Sequence, residues 1–544
     1  MLSLIGFLII LGPLVVVHEF GHYLFARLFN VKAEAFSIGF GPKLWSRQIG
    51  ETEWKLSLIP LGGYVKLLGE DREAEMSPED VRRALHRQAA WKRFLIFFGG
   101  PLFNYIFAIF IFMLILLIGE PQLSNVAGRV VHGSVAEQAG LRSGDRILSV
   151  NGQPVKKFEE ILTVIGDRPD QKTDLEVQHG ESPTSTHIFV TPSSQAGFNI
   201  YGETTQVGDI DGVSPFPRST RVGVSNPNSE AAKVGFRSGD EILEFNGTSI
   251  HSWEQLESIF SQVLSGTKIN FKAKHSDGVS FEATLMKPEA FQVLDPLGSG
   301  WGLYSSELFV EKAVPSSPAD AAGVREGDRL IGVGNREVQS FLGLREAVQE
   351  AGEKTGKVDL RWERAGKVYS ASITPTATQS RDVVMKKVTQ YTVGVVPMFA
   401  TAEPAYVTER IFNPVTLVVK ATQRMVVLTW RNFVSIGKMI QGEVSAKTLG
   451  GPILIGKIAG ESLSRGLIAF LTTMAILSIG LGVLNILPIP VLDGGHILIL
   501  FIESIRRKPL TLQQLEKVQG VGLAIVLMLM GFVLFNDLTR ISPF

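Results

Sequence analysis

LSLIGFLIILGPLVVVHEFGHYLFARLF, residues 2–29, is apolar almost throughout and yet holds His18, Glu19 and His22 in its second half. A bilayer takes about 20 apolar residues to cross as a helix, so the stretch is long enough to span. A leader peptide would want basic residues at its start, and residues 1–17 hold none, so a span is the expectation. Ionisable groups inside such a span cost several kcal/mol and persist when they are partnered or functional. HEFGH is an H-E-x-x-H motif: residues four apart share a helix face, so His18 and His22 are placed to bind one Zn²⁺ together. Glu19, beside the first ligand, is then the catalytic acid/base for a water that zinc makes acidic. A catalytic zinc has a third protein ligand and an open position. The chain has no cysteine, so that ligand must be His, Asp or Glu.

Three further stretches read as spans: 94–118, 467–487 and 521–535, the last somewhat short. Lys and Arg gather in the loop 30–93, ending in Arg82, Arg83, Arg87, Lys92 and Arg93, and again at Arg506, Arg507 and Lys508. Basic connections stay cytoplasmic, which puts both termini and the large middle region outside. The third span runs into NILPIPVLDGGH, 485–496, where Pro488, Pro490, Gly494 and Gly495 break the helix. Asp493 is the suitable third ligand there, and His496 competes with it. The ends of the first and third spans both approach the cytoplasmic side, so the two ligand sets share a depth.

Between 119 and about 466 the chain repeats: GSVAEQAGLRSGDRILSVNG from Gly133, NSEAAKVGFRSGDEILEFNG from Asn228, SSPADAAGVREGDRLIGVGN from Ser316. Gly144-Asp145, Gly239-Asp240 and Gly327-Asp328 recur at intervals of 95 and 88 residues (239−144 and 327−239). That period suits three small domains and not a solenoid. Each copy reads as a short helix ended by Gly, a Gly-Asp turn, an alternating strand and an Asn-Gly turn. The third copy departs from this, with Gly334-Asn335 in place of Asn-Gly. The pattern resembles the PDZ domain, with expected copies at 126–212, 220–290 and 300–378. The resemblance implies grooves that bind peptide C-termini or extended segments by strand addition. A spacer role for one or more copies is the alternative.

HEFGH in the first span, with N-x-x-P-x-P-x-L-D-G-G near the third, is similar to the site-2 protease family of intramembrane zinc metalloproteases. Four spans with PDZ-like domains between the second and third resemble its RseP-like branch. The resemblance implies one Zn²⁺ per chain on His18, His22 and Asp493, favouring Asp493 over His496. It implies Glu19 as catalytic residue and Asn485 as a group holding the substrate strand. Branch members cleave membrane-anchored anti-sigma factors and remnant signal peptides, and commonly carry two PDZ domains where this chain reads as three. In the loop 30–93, AFSIGF (35–40), EWKLSLIPL (53–61) and GYVKLL (63–68) predict a small sheet, with turns at Gly39, Gly41, Gly62 and Gly63. Its edge is expected to pair with an unwound substrate, since lipid supplies no partner for freed backbone groups. In the second span, FFGGPLFN (97–104) lets backbones pack closely, and Asn104 needs a polar partner. Residues 404–441 read as an amphipathic helix on the membrane surface or against a PDZ-like copy.

The expected fold is therefore a polytopic α-helical membrane protein with a membrane-associated β element and three α+β PDZ-like domains. The expected function is hydrolysis of pre-trimmed single-span proteins in a bacterial inner membrane, with the repeats outside acting as a size filter. A non-catalytic PDZ scaffold retaining a zinc site is the rival, against which Glu19 argues. Lys+Arg and Asp+Glu balance at 53 each, so no overall field points to nucleic acid. No G-x-S-x-G is present to support a serine hydrolase.

Overall fold

The computed structural model describes residues 2–70, 76–180, 182–198, 204–292, 295–381 and 387–541. It divides into two units, one of described residues up to 120 and from 408 on, the other of those between 121 and 407.

The first unit is mainly helical. Helix α1 (Leu2–Leu28) leads into strands β1 (Ala33–Ile49) and β2 (Thr52–Leu67), then α2 (Ala90–Ile118). After the second unit come α3 (Pro414–Ile440), α4 (Pro452–Ser464), α5 (Leu467–Ile486), α6 (Asp493–Arg506) and α7 (Leu512–Ile541). Four stretches are long and apolar enough to cross a membrane: Ser3–Leu28, Ala90–Ile118, Leu467–Ile486 and Leu512–Arg540. The fourth is thus longer than the apolar run 521–535, because helix continues through polar residues at both ends.

Ile10 and Leu14 of α1, Ile111, Phe112 and Ile115 of α2, and Phe470, Met474 and Ile479 of α5 form one buried core. Leu417 and Ala421 of α3 join it, while Val415, Val418, Val426 and Trp430 of the same helix stay exposed. That helix is amphipathic, with its apolar stripe packed on the span bundle. Helix α4 was not expected from the sequence. It packs on the start of α1, where a Cβ on Gly6 would meet the backbone of Ala459 at 2.9 Å. Asp537, near the end of α7, accepts hydrogen bonds from the N–H groups of Gly451, Ile453 and Leu454 and so caps α4.

Strands β1 and β2 are long because each is two runs. Ala35 pairs with both Lys66 and Glu53, and Glu53 pairs also with Gln48. The order across the sheet is therefore 63–67, 33–38, 52–57, 43–49. The two outer runs are edges that pair with no further strand among the described residues.

The second unit repeats one design three times. Each copy has a four-stranded antiparallel sheet in the same order: 153–154, 146–150, 173–178, 185–190; then 248–249, 241–245, 268–274, 280–286; then 336–337, 329–333, 358–364, 367–373. A helix crosses each sheet (Phe158–Gly166, Trp253–Gln262, Phe341–Thr355), and each copy buries its own core. The recurrent serine of the repeat caps a one-turn helix in each, Ser134, Ser229 and Ser317 accepting from the N–H three residues on. The Gly-Asp carboxylates fold back on the N–H groups of Arg142, Arg237 and Arg325 at 2.7, 2.8 and 2.8 Å. A closing strand lies beyond the sequence-read limits of each copy: 213–214 on 129–130, 304–305 on 222–223, and 395–397 on 310–313. Those segments are short and outside the repeated pattern, which hid them. In the third copy Gly334 has φ +55°, matching Asn151 and Asn246 at +49°, so the exchanged turn closes in the same register.

Candidate metal centre

Helix α1 carries His18 and His22 on one face, a turn apart. Their Nε2 atoms lie 3.3 Å from each other. The break after α5 brings the third group in. Val491 takes φ +86°, a conformation strained for a β-branched residue, and the backbone of Ile489 and Pro490 leaves no room for a Cβ on Gly495. The chain so folds back on itself and starts α6 at Asp493, whose carboxylate lies 3.2 Å from His18 Nε2 and 3.4 Å from His22 Nε2.

These three residues can place one ligand atom each within 4.8 Å of the others. A tetrahedral zinc with bonds of about 2.0–2.2 Å separates its ligand atoms by about 3.3–3.6 Å. The two Nε2 atoms, 3.3 Å apart, meet that spacing, the carboxylate turns Oδ2 toward His18 and Oδ1 toward His22, and two imidazoles with one carboxylate are a catalytic-zinc donor set. The residues present therefore fit the ion. His496 is elsewhere occupied, its ring stacked on Phe97 at 4.8 Å.

The groups behind the two histidines come from α2. His22 Nδ1 donates to the Ile96 carbonyl at 2.7 Å. Asn104 is fully buried, with its amide nitrogen 3.0 Å from His18 Nδ1. A Cβ on Gly100 would overlap His22 Nε2 and stand 2.7 Å from His18 Cε1, so only glycine lets α2 pass this close. The sequence marked Gly99 and Gly100 for close backbone packing and Asn104 as needing a polar partner, without linking any of them to the histidines. Their proximity was hidden because 74 residues and a sheet separate His22 from Ile96.

The remaining sequence-read residues divide. Asn485, one turn before the break, holds its amide nitrogen 3.2 Å from His18 Nε2. Gly63, on the edge run of the sheet, faces α1: a Cβ there would stand 2.8 Å from Val15 and 3.1 Å from Glu19 Cγ. Gly39, Gly41 and Gly62 have φ of +91°, +85° and +155°, and the atoms nearest them belong to the sheet itself, such as Ser57, Ile59 and Phe40.

Residues 6–529 match the family model described as Peptidase family M50. A protein of Neisseria meningitidis serogroup A named "Putative zinc metalloprotease" is 30% identical over 99% of each chain. The regulator of sigma-E protease RseP of Escherichia coli K12 is 28% identical, again over 99% of each. Among solved structures, a PDZ domain protein from Parabacteroides distasonis is 10% identical and covers 54% of this chain and all of its own. Its TM-score is 0.13, too low to bear on the fold.

Proposed function

The chain belongs to Peptidase family M50 and is a zinc metalloprotease, and from this premise we propose that it hydrolyses peptide bonds within the membrane. Its substrates on this reading are single-span proteins already shortened by another protease, such as anti-sigma factors or remnant signal peptides. The observation that carries the reading is the meeting of His18, His22 and Asp493 among helices long and apolar enough to cross a bilayer.

His18, His22 and Asp493 would hold the zinc. When bound, the ion supplies a Lewis acid that makes water nucleophilic near neutral pH. Glu19 takes the proton of the attacking water and returns it to the nitrogen of the breaking peptide bond. The Asn485 amide donates to a substrate carbonyl beside the ligands. A transmembrane helix must unwind to be cut, and its freed N–H and C=O groups then need partners that lipid lacks. The edge run 63–67 supplies them by strand addition, with Gly63 against Glu19 and Gly39, Gly41 and Gly62 shaping the sheet.

The three repeat copies act as PDZ-like domains on the periplasmic side, binding extended segments or C-termini and excluding bulky substrates. The zinc would stand toward the cytoplasmic side, a reading that the basic loops support. Removing residues 126–378 should then let untrimmed substrates be cut; unchanged selectivity would refute the filter.

The mechanism is tested by cleavage of a model transmembrane substrate with wild type and Glu19→Gln, zinc content being measured in both. Zinc should stay and cleavage should vanish. Equal cleavage by the two proteins would sink the assignment.

A further inference from the structure

The two histidines of the centre are supported unequally. His22 Nδ1 meets the Ile96 carbonyl, which can only accept, so Nδ1 carries the proton and Nε2 keeps its lone pair for the site. His18 Nε2 faces the same point, 3.2 Å from Asp493 and 3.3 Å from His22 Nε2. To ligate there it needs the same tautomer, and its Nδ1–H then needs an acceptor.

The side chain at that position is Asn104, in α2, wholly buried. Its Oδ1 has no hydrogen-bond partner, while its Nδ2 is 3.0 Å from His18 Nδ1. The two ends of a carboxamide are nearly the same size, so half a turn about χ2 puts Oδ1 where Nδ2 stands. Its place is fixed from behind: Ser478 of α5, also fully buried, donates to the Asn104 backbone carbonyl at 2.8 Å.

We propose that Asn104 is a positioning residue for the metal centre: in the zinc-loaded protein its Oδ1 accepts the Nδ1–H of His18, fixing that ring's tautomer and orientation. The inference rests on the reading of His18 as a zinc ligand. An amide suits both conditions of the site. Without metal, Nδ2–H donates to Nδ1 and the His18 Nε2–H faces Asp493; with metal, the amide turns and accepts. A carboxylate would serve only the second condition, and an aliphatic side chain neither.

The test is zinc affinity of the full chain in detergent, by competition with a chromogenic chelator, for wild type, Asn104→Asp, Asn104→Leu and His18→Ala. Thermal unfolding of the metal-free proteins reports folding. Asn104→Leu should bind zinc about 10- to 100-fold more weakly, the usual cost of losing such a partner. Asn104→Asp, which keeps an acceptor, should stay within about threefold of wild type. Should Leu prevent folding, Asn104→Ala removes both ends of the amide without adding bulk and is read the same way. The proposal is overturned if Asn104→Asp is as weak as Asn104→Leu, or if Leu and Ala bind like wild type while His18→Ala loses zinc. Full zinc binding by His18→Ala would instead overturn the ligand assignment beneath it.

Discussion

In the repeat unit, Asp145, Asp240 and Asp328 are almost fully buried, and each accepts from a backbone N–H three residues before it and from a side-chain partner. The partners are His179 and His275 at 2.9 Å and Arg364 at 2.6 Å. In the helical unit Asp493 is also withdrawn, its side chain 17% exposed, yet the ion-pair partners seen for it are His18 and His22. The first three carboxylates are saturated by donors that folding itself supplies. Asp493 faces two imidazole Nε2 atoms, each of which carries a lone pair in the tautomer that is protonated on Nδ1, so a shared cation would complete the set. The same residue type is closed off by a backbone N–H and one side-chain donor in the repeats, and faces two histidines of one helix in the helical unit, the setting that the proposed zinc site needs.

The contrast is most easily broken at the centre. Asp493→Asn and His22→Ala should each lose zinc and lower cleavage on the order of a thousandfold or more, whereas Glu19→Gln should lose cleavage alone. Metal analysis beside a cleavage assay separates these outcomes. Gly100→Ala comes next: the added methyl collides with His22 Nε2, so zinc affinity should fall about tenfold or more, as chelator competition would report. Asp240→Asn should leave zinc content untouched and destabilise the repeat unit by about 1.5–3 kcal/mol, the worth of hydrogen bonds to a buried charge. Denaturant unfolding of the full chain measures that loss, and a loss of zinc in this variant would erase the distinction. The smallest effects belong to the exchanged turn. Gly334→Val should cost about 1–2 kcal/mol at its left-handed φ, and Gly334→Asn only a few tenths, since Asn151 and Asn246 already adopt that conformation.

The sequence carried what is local. Spacing four placed His18 and His22 on one face, the Pro and Gly residues around Asp493 marked a chain reversal, and the Ser and Gly-Asp positions marked caps and turns in each copy. What it did not carry depends on distant partners. Helix α4 begins at a mixed stretch, PILIGKIAGESLS, and its start is capped by Asp537 more than eighty residues later. The sheet order 63–67, 33–38, 52–57, 43–49 depends on Ala35 pairing on both sides, which alternation alone does not specify. The link from α2 to the histidines through Ile96 and Asn104 was hidden for the same reason: a buried carbonyl has no sequence signal, and a lone membrane Asn has many uses.

The crossing of α1 and α2 at Gly21 and Gly99 puts one main chain directly against another, with His18 and His22 on one side of the junction and Gly100 on the other. A contact of this kind is a hard stop. With no side chain between the helices, nothing there compresses or changes rotamer, so their separation near the histidines is set by main-chain atoms, and a Cβ added at Gly21 or Gly99 would force them apart.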